Sequence, residues 1–352
     1  MRMFKPDDRC ASVAQSWHLA IRAKAMTESL SSTKPPAPAS LQGEARSRHW
    51  EWQYLDLMRH IWEHGDERVD RTGVGTRSVF GATIRFDLAG GAMPLLTTKR
   101  VYWKTATREL LWFLTGDTNI RKLCAQNVQI WTDWPLERYR RETGDAITRE
   151  AFSQRIVEDA TFAWLWGDLG PVYGKQWVDW PTYEPVGEGL FRKGAGINQV
   201  AQVVESLKSN PGSRRHIIEG WNVAELDSMA LPPCHKTYQF HVADGKLSCL
   251  LYQRSCDLGL GFAFNMWSLA ALTRMMAQQC NLEPGHAVWT GGDVHLYLNH
   301  GALVEEQLAR EPAGDATLTF ARRPASIFDY TIEDFEVTGY APQAHIAAPV
   351  AV

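Results

Sequence analysis

The sequence predicts an α+β fold, because three of its stretches follow different periodicities. Residues 50–64 place Trp52, Leu55, Met58, Ile61 and Trp62 at helical spacing ahead of Gly65, the pattern of an amphipathic helix and its stop. Residues 237–255 are rich in Tyr, Phe, Val and Leu and break at Ala243, Asp244 and Gly245, which predicts a β-hairpin turning on Asp-Gly. Residues 264–280 form an apolar, Met-rich run suited to a buried helix, its methionines serving as packing.

The remaining elements follow in order. Ile84, Phe86 and Leu88 alternate within a strand over 78–88, and 104–115 reads as a helix carrying Glu109 against Leu110, Leu111 and Trp112. A carboxylate bordering such an apolar run needs a partner. Between Trp134 and Gly167 the composition turns charged, which predicts a solvated insertion or a small helical subdomain over 135–166, rather than core, that carries no chemistry. His60 and His64 lie one turn apart on the first helix, but no HExxH pattern or third ligand accompanies them, so a structural or surface role and no metal are expected. Residues 1–48 include the Ser-, Pro- and Ala-rich stretch Ser29 to Ser40 and are expected to be a disordered tail ahead of a domain spanning 49–352.

Composition narrows the function. With 37 basic and 40 acidic residues the net charge is −3, which gives no bulk attraction to nucleic acid or anionic membrane. No stretch approaches the roughly 18 apolar residues of a membrane span. Six cysteines without CxxC or regular spacing suit free thiols in a reducing cytoplasm.

The chemistry concentrates around Pro232, Pro233, Cys234 and His235. Two prolines stiffen the approach to a thiol, and the predicted hairpin brings Arg254 back beside it, where a cation favours the nucleophilic thiolate. Spacing alone leaves a buried inert cysteine open.

The flanking motifs are specific. DRTGVGT (70–76), TTKR (97–100), RELLWFLTGDTNI (108–120), IWTDW (130–134), GDLGPVYGKQW (167–177), SRR (213–215), ALPPCH (230–235), LYQRSCD (251–257), FN (264–265) and TGGDVHLYLNH (290–300) run in order along residues 50–352. Together they resemble the thymidylate synthase family. The resemblance implies a large mixed sheet packed by helices and a reductive methylation of dUMP to dTMP with 5,10-methylenetetrahydrofolate as co-substrate. It implies that Cys234 adds to ring carbon 6, that Glu109 organises water and moves protons, and that Tyr173 helps remove the proton from carbon 5. Arg71, Arg254 and Ser255 would hold the 5′-phosphate, joined by Arg214 and Arg215 of a second subunit, so the working form would be a homodimer. Asn265 would read the uracil edge, with Gln253 also in the substrate site, and His295 and Tyr297 would bind the ribose hydroxyl. Asp257, Trp131, Trp134 and Val352 would line the folate site and Lys99 would meet its glutamate tail. No metal and no obligatory nucleic acid is implied.

Several positions depart from the family pattern: Glu219-Gly220 before Trp221, Tyr102 where a His is usual, Ala263, Trp267, and YAPQAHI over 340–346. The resemblance therefore leaves a dUMP hydroxymethylase as an alternative, in which water replaces hydride, and beyond it a nucleotide- or RNA-binding relative without catalysis. Trp131, Trp134 and the C-terminal segment, which exclude water, favour methylation.

Overall fold

The computed structural model describes residues 49–69 and 73–349; the expected tail, Arg71 and Val352 lie outside them. Helix α1 (Glu51–His64) ends where the Gly65 N–H bonds Ile61 O, and it buries Tyr54, Leu55, Met58 and Ile61. Trp52 and Trp62 are only half-buried, and the position between them that the spacing missed, Tyr54, is fully enclosed, its hydroxyl donating to Leu258 O at 3.1 Å. His60 and His64 stack on the exposed face.

The core sheet has six strands. In chain order they are β1 (Asp66–Arg68), β2 (Thr76–Asp87), then, beyond the short β3 (Ala92–Met93) and the β4–β5 hairpin (Tyr183–Gly187, Leu190–Lys193), β6 (Ile217–Glu219), β7 (His235–Ala243), β8 (Lys246–Asp257) and β9 (Glu283–Tyr297). Their spatial order is β1-β2-β9-β8-β7-β6, antiparallel throughout except for the parallel β8–β9 pair, so the sheet is mixed. The β7–β8 hairpin turns on Asp244 and Gly245, both at positive φ (50° and 72°), the geometry for which Asp-Gly is suited. A smaller sheet pairs β10 (Ala316–Phe320) with β3 and with β11 (Phe335–Thr338).

The helices after α1 are α2 (Trp103–Leu114), α3 (Arg121–Ala125), α4 (Asp133–Thr143), α5 (Arg149–Glu158), α6 (Ala160–Trp166), α7 (Tyr173–Val178), α8 (Gln199–Ser209), α9 (Gly261–Cys280) and α10 (Gly301–Leu308). Helix α9 packs across β8 and β9 and supports α2 in turn. It is apolar on nearly every side, as a helix enclosed by sheet and helices must be. Trp267, at one of the departures, is fully buried there, donates from Nε1 to Thr107 Oγ1 at 2.9 Å and lies 5.3 Å from the Trp103 ring.

The charged stretch after Trp134 folds as α4, α5 and α6. Its average composition conceals an aromatic cluster of Tyr139, Phe152, Phe162 and Trp166, with Phe152 fully buried.

The parallel pair gathers strand ends at one edge of the sheet. Because β8 and β9 run the same way and Asp257 stands opposite His295, their C-terminal ends converge, and the start of β7 and the start of β2 meet them there.

Candidate active site

Two adjoining cavities open at that end of the sheet. The first, about 550 Å³, is lined by Glu109, Trp131, Tyr173, Cys234, Asn265 and His295 among others, with Gln253, Arg254, Ser255 and Tyr297 also on its wall. The second, about 450 Å³, runs from Lys99 and Tyr102 past Phe264 to the C-terminal segment at His345 and Ile346. Glu109, Trp134, Asp257 and Asn265 border both.

Cys234 immediately precedes β7, and the hairpin delivers Arg254 to it. The Arg254 N–H bonds Cys234 O at 2.9 Å, its guanidinium donates to Pro233 O at 2.9 Å and Pro232 O at 2.7 Å, and its Nη2 lies 3.9 Å from Sγ. The arginine therefore shapes the loop as well as charging it. The Tyr173 hydroxyl accepts from the Cys234 N–H at 2.7 Å. Burial pushes the thiol up, with Arg254 and a hydrogen bond from Tyr173 pulling the other way. Arg254 favours the thiolate as expected, but in the ligand-free protein desolvation outweighs it. Burial also holds the Tyr173 phenol well above its usual range, so it stays protonated.

Glu109, on the inward face of α2, accepts from Trp131 Nε1 at 2.7 Å. Burial raises its carboxyl to about 7, and this one hydrogen bond only partly opposes the shift. Such a group can give or take a proton at neutral pH.

A relay of amides fixes the opposite wall. Trp289 Nε1 donates to Gln253 Oε1 at 2.8 Å, and Gln253 Nε2 donates to Asn265 Oδ1 at 2.7 Å, which leaves the Asn265 amide turned to present both donor and acceptor. His235 bonds Asn265 and is pushed down to about 4 by burial, so it is neutral.

At the far rim His295 Nδ1 lies 3.0 Å from Asp293 Oδ1, and Asp293 also pairs with Arg68. The His295 hydrogen bond is the largest cause holding the Asp293 carboxyl low. Asp257 Oδ1 accepts from Gly259 N at 2.8 Å and Leu260 N at 3.2 Å, opening α9.

Of the remaining expected residues, Lys99 is buried in the second cavity, donates to Gly259 O, and is lowered by desolvation to about 8. Arg214 and Arg215 are exposed and do not line either cavity of their own chain. The charged insertion, expected to carry no chemistry, contributes Arg149 to the second cavity, tied to Asp133 at 3.0 Å.

The departures are accommodated. Glu219 accepts from Thr237 Oγ1 at 2.6 Å and from Trp221 N at 2.9 Å, with Lys236 Nζ at 3.5 Å. Tyr102 faces His345 at 5.6 Å on the second cavity. The 340–349 segment is strapped down: Tyr340 accepts from Val101 N and donates to Leu96 O, Gln343 N bonds Thr97 O at 2.8 Å, Arg310 Nη1 bonds Ala344 O at 2.7 Å, and Ile346 is buried.

Sequence reasoning missed Asp293 and Arg68. Asp293 stands two residues before His295, on the same face of a strand, and that alternation was the available signal. Arg68, on a three-residue edge strand, gave none.

A thiol beside a guanidinium, a neutral-range carboxyl and an oriented amide share one cavity, the parts of a nucleophilic site that can also exchange a proton. The thymidylate synthase family model matches residues 52–352. Thymidylate synthase of Novosphingobium aromaticivorans is 75% identical over 306 residues, covering 87% of this chain and 98% of the relative. Those of Sphingopyxis alaskensis and Rhizorhabdus wittichii are 71% and 62% identical over 310 and 307 residues, covering 88% and 87% of this chain and 100% of each relative. The chain belongs to the thymidylate synthase family.

Proposed function

We propose that the chain methylates carbon 5 of dUMP to give dTMP, and that the residues lining the two cavities carry the reaction. The observation that supports this most directly is the meeting of Cys234, Arg254, Asn265 and Glu109 on one cavity.

In this reading Arg254 and Ser255, with Arg71, take the 5′-phosphate, for which forked guanidinium donors are suited. Phosphate contact also tightens the Pro232–Pro233 loop through the same guanidinium. Asn265, held by Gln253, accepts from nitrogen 3 and donates to oxygen 4 of uracil. His295, braced by Asp293, and Tyr297 bind the ribose hydroxyl. Cys234 loses its proton as it adds to ring carbon 6, so that the negative charge leaves sulfur for the ring and desolvation no longer opposes the step. Glu109 holds or releases a proton toward the ring oxygen, and the protonated Tyr173 orders the acceptor that takes the carbon 5 proton.

The second cavity fits a flat heterocycle: Trp134, Leu260 and Phe264 give apolar walls and Asp257 an acceptor at its border. When bound there, 5,10-methylenetetrahydrofolate supplies the one-carbon unit and the hydride. Trp134 and the strap at Ile346 shield that junction from water, which favours methyl over hydroxymethyl product.

We place the working form in a cytoplasmic homodimer. Ile217, Gln239 and Leu250 form one exposed rung of the main sheet, and Arg214 and Arg215 are exposed and line neither cavity of their own chain, both suited to a second copy. Among the described residues no helix is long and apolar enough to cross a membrane, and no cluster of three or more His, Cys, Asp or Glu could hold a metal.

The test is turnover of dUMP and methylenetetrahydrofolate with products resolved by mass. The wild-type chain is expected to give dTMP with equimolar dihydrofolate. Cys234→Ser is expected to lose turnover by at least about 10⁴-fold while still binding dUMP. Full turnover by that variant excludes the covalent mechanism, and hydroxymethyl-dUMP from the wild type excludes the hydride branch.

A further inference from the structure

His300 lies three residues beyond Tyr297, in the turn that leads into α10. Its ring is buried, at 1% exposure, and it joins two segments far apart in sequence. Nε2 is 2.9 Å from the carbonyl of Pro349, the last described residue of the C-terminal strap. A carbonyl can only accept, so Nε2 is the donor of this hydrogen bond. Nδ1 has no hydrogen-bond partner and faces Asp257 Oδ1 at 3.9 Å.

Gly259 permits this approach. A Cβ there would lie 2.8 Å from His300 Nδ1 and 3.2 Å from Asp257 Oδ1, so any larger residue would part the ring from the carboxylate. The Gly259 N–H and the Leu260 N–H already bind the same Asp257 oxygen. Imidazole, carboxylate and the turn opening α9 thus form one cluster, and Asp257 borders both cavities. His300 lines neither cavity, and its ring meets that of Tyr297 edge-on at 5.4 Å.

We propose that His300 is a positioning residue for methylation, a role that rests on the chain being a dUMP methylase. With Nε2 it holds the strap, and its other edge packs against Asp257 in the space that Gly259 leaves, so that moving the strap moves the wall behind the carboxylate. The consequence is chemical: the exocyclic methylene on carbon 5 takes either hydride, giving the methyl group and expelling Cys234 as thiolate, or water, which loses a proton, gives hydroxymethyl and expels the same thiolate. A strap released from Asp257 admits water at that branch point.

The experiment uses the full chain and two variants, His300→Ala and Gly259→Ala, the second pushing the ring aside without removing it. Tritium release from carbon 5 of dUMP, dTMP, hydroxymethyl-dUMP and dihydrofolate are measured together, and amide hydrogen exchange of residues 343–349 is followed in the ligand-free protein. Both variants are expected to exchange faster across the strap and to release more tritium than they form dTMP, the balance appearing as hydroxymethyl-dUMP. Misplacement by about 1 Å is expected to lower dTMP formation by roughly a hundredfold. His300→Gln, whose amide N–H can still reach Pro349 O, is expected to recover the strap's protection and part of the coupling. Tritium release and dTMP that fall together at a constant ratio, or strap exchange unchanged in both alanine variants, overturn the proposal. A wild-type chain that forms no dTMP instead overturns the methylation reading, so the two failures are separable.

Discussion

Replacing Glu109 by Gln isolates the energetic consequence of its burial. The carboxyl titrates at about 7 against an ordinary 4.5, and burial is the main cause. At about 1.4 kcal/mol per unit, the gap corresponds to about 3 kcal/mol. The direction follows from linkage. Below the ordinary value both folded and unfolded chains hold the proton, and no difference arises. As the pH rises from about 4.5 toward 7 the unfolded chain releases it while the folded chain keeps it, so the folded state loses stability through that window and stays lower above it. Glutamine is neutral at every pH, and its Oε1 can still accept from Trp131 Nε1. Glu109→Gln is therefore expected to match wild type at pH 4.5 and to exceed it by up to about 3 kcal/mol at pH 8, while turnover collapses. Urea unfolding of both proteins at the two pH values measures this, and every other titrating group cancels in the double difference. A stability gap between the two proteins that is the same at both pH values refutes a raised carboxyl, and with it the account of Glu109 as a proton carrier at neutral pH.

Two further outcomes are expected. Asn265→Asp, carrying a carboxyl in place of the amide that Gln253 orients, should lower kcat/KM for dUMP by roughly a thousandfold or more and gain activity on dCMP; steady-state kinetics with both nucleotides decide it. Glu51 is fully buried and accepts four hydrogen bonds, from the backbone and hydroxyl groups of Thr97 and Thr98 at 2.5–2.9 Å. Glu51→Ala strands those donors and should destabilise the protein by about 4 kcal/mol or more, read by chemical unfolding.

What the sequence made legible depended on range. The Cys234–Arg254 pairing could be anticipated because a hairpin maps residues on one side of a turn onto the other with no further assumption. Helix α9 was legible because a long apolar run has few alternatives. Glu109 announced that it needed a partner, but Trp131 arrives from beyond another helix, and only the assembled core supplies it. The same holds for Glu219, whose partner Thr237 is its cross-strand neighbour: the charge was visible, the register was not. The insertion folds into helices, one of the two forms expected for it, but its aromatic cluster was hidden for another reason. Its charges dominate the average, while Tyr139, Phe152 and Phe162 are spread across three helices and meet only after folding. The family resemblance supplied the roles of His295, Tyr297 and Asp257, since nothing in their local spacing distinguishes a binding residue from an ordinary strand position.

The Asp244–Gly245 turn has a bearing on inheritance. At about 3.3 Å per residue, it stands roughly 30 Å along the strand from Arg254, far from any ligand. It nonetheless acts as the ruler of the cavity. A one-residue slip of β8 starting there would turn Arg254 and Gln253 to the opposite faces of the sheet. A change of length at this remote corner is therefore harmless only where the loop absorbs it or the slip it causes is even.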